Sequence, residues 1–362
     1  MKLMNPGRVS ISERVRQSLL RPDLCHRESE FFDLQDEVRS RLLATHALDT
    51  AAWAAVLITA SGTAAVESMI AALVPAKGRV LIVENGVYGE RIAQICAQFG
   101  IAPERLTGEW LKAPDFDAIS VRLDRAAADA RFTHLAVVHH ETTTGRLNDL
   151  RSIGGACRTR GVKMLVDGVS SFGAEAIDFN DDSLEAVAAT ADKCRHGVPG
   201  VAFVILRRSA LEYAASRTYY LDLGRLSRLQ DQRNAPFTPA VQACYGLLEA
   251  LREFEEQGGR AARYQRYASL AEQVRAGLAA NGVDPLMPPE KASVVLRAYR
   301  LPAGVAYPPL HDALKADGFV TYAGQGDLSK TLFRISTMGE MDSRDIDRFL
   351  DSFTRLLWRR PL

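Results

Sequence analysis

The chain of 362 residues has no excess of either charge, with 45 lysines and arginines against 44 aspartates and glutamates. Proteins of nucleic acid or membrane surfaces normally carry a basic excess, so the balance argues against both partners. Cysteine is scarce: Cys25, Cys96, Cys157, Cys194 and Cys244 are far apart and form no CxxC pair. That excludes a zinc ribbon or a disulfide framework, gives no reason to expect a metal, and fits a reducing cytoplasm. No apolar run reaches the roughly 20 residues that span a bilayer. The opening MKLMNPGRVS lacks the apolar core of a signal peptide. No GxGxxG follows a strand, which sets aside a nicotinamide dehydrogenase. Neither an internal repeat nor a low-complexity segment interrupts the chain.

What is present is an alternation of short apolar runs with longer amphipathic stretches. The strand candidates are AAVLI (54–58), RVLIV (79–83), HLAVVH (134–139), KMLVD (163–167) and VAFVIL (201–206). Continuous apolar strands separated by segments of helical spacing, such as VESMIAAL and ERIAQICAQF, predict an α/β fold with a mostly parallel sheet covered on both faces. After Thr238 a long helical stretch runs to Gly258-Gly259, a plausible stop. The remainder, with strand candidates SVVLRAY and FRIST, reads as a smaller α+β unit. The expected division is an arm at 1–15, a large domain at 16–258 and a small one at 259–362.

In an open α/β sheet ligands sit beyond the carboxyl ends of the strands, so the loops there carry the argument. The first opens into Ser61-Gly62-Thr63 ahead of a helix, offering free N–H groups and hydroxyls to an anion. Small residues before a helix also serve as simple caps. The second sets Tyr88 between two glycines, where it either stacks on a planar ring or lies half-buried at the surface. The third is HHETTTGRL, with Glu141 and Thr143 at its mouth. The fourth ends a buried strand on Asp167, a carboxylate that needs a cationic partner there. The fifth brings Lys193 just ahead of a Gly-Val-Pro-Gly turn.

Together these loops describe a site for a planar, phosphorylated, aldehyde-bearing cofactor, pyridoxal 5′-phosphate. Lys193 is the amine for its aldehyde, Asp167 the carboxylate for its ring nitrogen, and the Ser-Gly-Thr turn the nest for its phosphate. Val169, two residues beyond Asp167 on an extended chain, points to the same side as that acid and packs on the ring opposite Tyr88.

The strings ASGTAAVE, ENGVYGER, VHHETTTGRLN, VDGVSSFGAE, ADKCRHGVPGVAFVI, FTPAV and FRISTMGE resemble, in family order, the class V aminotransferases of fold type I. The likeness is greatest to the 2-aminoethylphosphonate–pyruvate branch. The resemblance implies a seven-stranded, mostly parallel sheet between helices, a small C-terminal α+β domain, and a homodimer with shared active sites. It makes Lys193 and Asp167 catalytic, and assigns Ser61, Gly62, Thr63, Tyr88, Thr143 and Val169 to the cofactor. Thr238 would reach the phosphate in the partner subunit, and Arg334 would grip the substrate carboxylate. The implied reaction moves an amino group from 2-aminoethylphosphonate, or a close aminophosphonate, to pyruvate, giving phosphonoacetaldehyde and alanine. The rival readings are an alanine–glyoxylate or serine–pyruvate enzyme, and a protein that binds the cofactor without catalysis. Three departures from the branch touch the site: Asp192 before the lysine, Arg195-His196 after it, and Asn-Pro-Gly-Arg in the arm. Asp192 would repel the phosphate unless Arg195 or another cation offsets it. Arg8 and Arg27 join Arg334 as candidate substrate residues, with Arg195 as a further source of charge for a phosphonate.

Overall fold

The computed structural model describes residues 1–125 and 131–358, so the last four positions of the unit expected at 259–362 lie outside the described residues. Seven strands form the main sheet: β1 (Trp53–Ile58), β2 (Val80–Glu84), β3 (Pro103–Thr107), β4 (His134–Val138), β5 (Lys163–Asp167), β6 (Leu184–Thr190) and β7 (Ala202–Arg207). Their order is β1-β7-β6-β5-β4-β2-β3. Only β7 runs antiparallel to its neighbours, pairing Ala202 with Ile58 on one side and with Thr190 on the other. The β6–β7 connection therefore turns straight back at the carboxyl edge, and that turn carries Lys193.

Alternate residues of the strands divide between two apolar layers, as a period of two requires when both faces are covered. One layer holds Leu57, Leu81, Val83, Leu135, Val137, Val166, Val187, Phe203 and Ile205. Against it lie α1 (Ser29–Ala44), through Phe31, Leu34, Val38 and Leu42, and α4 (Val241–Glu256). The opposite layer holds Val56, Ile58, Val80, Ile82, Val138, Leu165, Ala186, Ala188 and Val204, covered by α2 (Gly62–Leu73) and α3 (Val87–Gln98). The 3–4 spacing of the α1 apolar residues is what places them on one stripe.

Two strands escape a reading by apolar pattern. β6 is LEAVAAT, entirely buried but rich in alanine, a residue depleted in strands. Its small side chains suit the close packing of α2 over β6 and β7. β3 is PERLT, mostly polar and half-buried; it sits at the sheet edge, where a leading proline is tolerated.

Beyond α4 the chain continues through α5 (Gly259–Ala279) into a three-stranded antiparallel sheet of β8 (Leu296–Arg300), β9 (Tyr322–Ala323) and β10 (Leu332–Ser336), in the order β8-β10-β9. Its own apolar cluster includes Phe333, Phe349 and Phe353. The first residues of the chain belong to this end of the molecule: Lys2 and Leu3 pair in parallel with Phe319 and Val320, and Met4 O accepts the Ser336 N–H at 2.9 Å.

Phe203 is fully buried on β7, with its ring edge-on to Phe172 at 5.3 Å. Phe203→Ala is expected to cost about 3–5 kcal/mol, read as a lowered urea midpoint with an unchanged slope. A loss under 1 kcal/mol would contradict this packing.

Candidate functional site

The carboxyl edge gathers most of the expected residues because β1, β2, β4, β5 and β6 are parallel and all end there. After β1, Ser61 starts α2 in an extended conformation, and its side chain makes no capping bond. The first N–H groups of α2 and the Ser61 hydroxyl are thus left for an anion. Gly62 is required by close approach: a Cβ there would lie 2.8 Å from Val169 Cγ1 and 3.4 Å from Thr190 Cβ. Val169 and Thr190 therefore flank the turn.

After β2, Tyr88 lies half-buried on the first turn of α3 with the Arg91 guanidinium 4.6 Å from its ring centre. Arg91 Nη1 also donates to Thr63 Oγ1 at 3.2 Å, so one cation ties the aromatic to the Ser-Gly-Thr turn. After β4, Glu141 is wholly buried and accepts the N–H groups of Tyr88, Gly89 and Thr143 at 3.2, 3.4 and 3.0 Å. It caps α3, where the helix dipole favours negative charge. Gly145 closes this loop with φ +85°, its position pressed against the β8 backbone, so both conformation and space call for glycine.

Asp167 ends β5 and is buried; its Oδ1 accepts the Val169 N–H at 3.0 Å. It forms no ion pair among the described residues. Burial raises its pKa to about 6, opposed by the Val169 N–H, Arg91 and Lys193. After β6, Lys193 Nζ donates to the carbonyl of Pro6. Desolvation lowers its pKa, with Asp192 and Asp167 pulling the other way and Arg334 adding to the fall. The lysine loop is held from below by Arg263 of α5, whose Nη1 donates to Cys194 O at 2.8 Å.

Arg334, on β10, is buried and reaches this edge from the C-terminal sheet. Nε donates to Ala323 O at 2.8 Å, and Nη1 donates to Thr142 O and Gln325 Oε1, each at 3.0 Å. Thr143 Oγ1 accepts the Val87 N–H at 3.2 Å and donates to Gln325 Oε1 at 3.3 Å.

Lys193, Asp167, Ser61, Gly62, Thr63, Tyr88, Thr143, Val169 and Arg334 are thus drawn to one edge. Thr238, Arg8 and Arg27 are exposed within this chain; Thr238 shares a pocket with Ile58 and Thr59 at the end of β1, whereas Arg8 lines an outer groove with Lys2, Arg16 and Glu340. The structure corrects the expectation for Arg195. It is fully buried in the core, donates to Gly173 O at 2.7 Å and lies 3.6 Å from the ring centre of Phe254. Burial lowers its pKa to about 9. It neither offsets Asp192 nor faces a ligand, because its guanidinium is held inside by Thr45 Oγ1, Gly173 O and the Phe254 ring. His196 is likewise structural, bonded through Nε2 to Tyr267 Oη and the Gly339 N–H. Arg91, Arg263 and Gln325 were not marked by the sequence; Arg91 alone carried a signal, three residues after Tyr88 on one helical face.

These residues fit pyridoxal 5′-phosphate: a free helix start for a phosphate, a buried acid short of a cation, and a desolvated amine. The sheet and the site define a fold type I enzyme of that cofactor. Residues 21–296 match the family model for aminotransferase class-V, and the chain belongs to that family. It is a pyridoxal-phosphate-dependent aminotransferase. It is 33% identical to a 2-aminoethylphosphonate–pyruvate transaminase of Vibrio cholerae, covering 98% of this chain and 97% of that protein. It is 34% identical to the enzyme of the same description from Syntrophobacter fumaroxidans, covering 96% and 94%. Among solved structures, an aspartate aminotransferase of subgroup IV from Thermus thermophilus superposes with a TM-score of 0.89 at 26% identity, over 99% of both chains.

The raised Asp167 pKa has a stability consequence. An acid whose pKa is higher folded than unfolded favours the folded state at low pH, and that contribution is lost as pH rises through about 6. In cofactor-free protein, Asp167→Asn is therefore expected to stabilise the fold at pH 8 by up to about 3 kcal/mol and to change little at pH 4. Urea unfolding at the two pH values checks this; an equal effect at both would refute it.

Proposed function

We propose that this chain transfers the amino group of 2-aminoethylphosphonate to pyruvate, giving phosphonoacetaldehyde and alanine. The observation that carries the reading is the near-full-length similarity to transaminases so described. The buried Arg334 supports it, with a guanidinium that faces the lysine loop from the opposite sheet.

In this reading Lys193 is the residue that bonds the cofactor, and Asp167 pairs with its ring nitrogen. Ser61, Gly62 and Thr63 hold its phosphate, Tyr88 and Val169 cover its two faces, and Thr143 lies by its ring hydroxyl. The Thr143 hydroxyl lies within hydrogen-bonding reach of both Gln325 Oε1 and the Glu141 carboxylate. When bound, the cofactor supplies an aldehyde for the donor's amino group and a ring that accepts the electron pair left by deprotonation. The chain's own part is to move the proton. Desolvation lowers the pKa of Lys193 and so favours its neutral form, which suits an amine that takes the proton from the amine-bearing carbon and returns one as an acid. Such shuttling contributes about 10²–10⁴-fold. Asp167, kept ionised by the ring nitrogen's charge, fixes that nitrogen in its protonated state. Arg334 orients the anionic end of each substrate.

The reading includes a homodimer in which Thr238 serves the partner's phosphate site and Arg8 and Arg27 face the partner's substrate. Their exposure, beside exposed Leu20, Tyr219 and Tyr220, supports it. A cytoplasmic setting belongs to the same proposal, supported by five unpaired cysteines, four of them buried.

Lys193→Ala is expected to remove the visible absorbance of the bound cofactor and at least about 10²-fold of turnover. A grid of 2-aminoethylphosphonate, alanine and serine against pyruvate and glyoxylate tests the substrates; preference for alanine or serine as donor would refute the phosphonate reading. Asp192 accepts a hydrogen bond from Thr190 Oγ1 at 2.7 Å, next to the phosphate turn, and forms no ion pair among the described residues. Asp192→Asn is expected to tighten binding of the cofactor to cofactor-free protein roughly tenfold, about 1.4 kcal/mol, by fluorescence titration. Unchanged or weaker binding would show that this carboxylate does not oppose the phosphate.

A further inference from the structure

Gln325 stands on the turn between β9 and the short 3-10 segment Gly326–Lys330, beside the buried guanidinium of Arg334. Its Oε1 accepts from Arg334 Nη1 at 3.0 Å and from Thr143 Oγ1 at 3.3 Å. A guanidinium has only donors, so the amide can stand in one orientation here, with oxygen toward the arginine. The Thr143 hydroxyl, which receives the Val87 N–H, stands 3.3 Å from the same Gln325 oxygen and is compatible with that orientation. The Nε2 group is consequently left with two protons and no acceptor among the described residues. Arg334 Nη2 takes no part in the three bonds that fix its guanidinium. A neutral two-proton donor and a charged one therefore stand side by side, both uncommitted, where the C-terminal sheet meets the edge that carries Lys193.

We infer that Gln325 is a specificity-determining residue that, with Arg334, receives the anionic end of the substrates. The inference rests on the donor reading above and deepens it. A carboxylate is flat and presents two oxygens, which one arginine can serve. A phosphonate is tetrahedral and presents three, so a donor set apart from the guanidinium plane matters more to it. An amide provides that donor without a second positive charge that would repel Arg334.

The test uses the holoenzyme and two simple anions, methylphosphonate and acetate, titrated by the change they cause in the visible absorbance of the bound cofactor. Gln325→Met removes both donor and acceptor, whereas Gln325→Glu keeps an acceptor for Arg334 and Thr143 but removes the donor protons. Retention of the unliganded absorbance band in each variant verifies an intact site. Both variants are expected to bind methylphosphonate at least about tenfold more weakly. Acetate binding by Gln325→Met should fall no more than about threefold, and turnover should show raised KM with kcat within about twofold. If Gln325 only holds Arg334 in place, Gln325→Met would weaken both anions alike, and the inference is overturned. Parental affinity for both anions in Gln325→Met overturns it equally. Should the parent bind acetate but not methylphosphonate, the donor reading fails by itself. Gln325 is then judged on acetate, where loss in both variants supports its donor role and no loss overturns it.

Discussion

Asp167 and Lys193 end two neighbouring strands at an edge where water is largely excluded, and each is pushed by that exclusion toward its neutral form. The surrounding architecture follows from holding these two groups there. The acid is fixed by the parallel run of β5 and steadied by one N–H bond from Val169. The amine needs a different device, because its loop must reverse at the same edge. The antiparallel β7 provides that reversal, while the Arg263 bond to Cys194 O and the Pro6 carbonyl hold the loop from two sides. A cofactor with a basic ring nitrogen and an aldehyde answers both needs at once.

Charge around the pair is arranged from several elements rather than in one motif. Arg91 lies behind Tyr88 and against Thr63, Arg334 comes from the C-terminal sheet, and Asp192 adds a negative charge beside the phosphate turn. Glu141 joins this balance: its carboxylate accepts two N–H groups at the start of α3 and the Thr143 N–H of its own loop, and its charge acts on Arg334.

The five strands with continuous β-branched or leucine content were legible from their pattern, and so were the loops that follow them. Asp167 and the Ser61–Thr63 turn could be found because each stands at the end of such a strand, and Lys193 because it stands just ahead of one, before the turn into VAFVIL. β6 was not legible, because alanine carries little strand signal and its burial comes from the helix packed over it. β3 was hidden by its polar edge position. Arg195 was misread for a related reason: proximity to Lys193 in sequence says nothing about the direction its side chain takes. Gln325 and Arg263 lie more than 60 residues from the loops they touch, and only the folded chain brings them together.

The first six residues make one further connection. Lys2 and Leu3 are hydrogen-bonded into the C-terminal part through Phe319 and Val320, Met4 is fastened to Ser336, and two residues later the Pro6 carbonyl meets the lysine amine. Only Asn5 separates the anchored stretch from the carbonyl, which leaves almost no slack. The segment is a short tether that joins the C-terminal sheet to the lysine loop by backbone alone. The same tether joins the backbone of β10 one residue beyond the neighbour of Arg334. The amine and the anion grip are thereby joined to one another through the start of the chain.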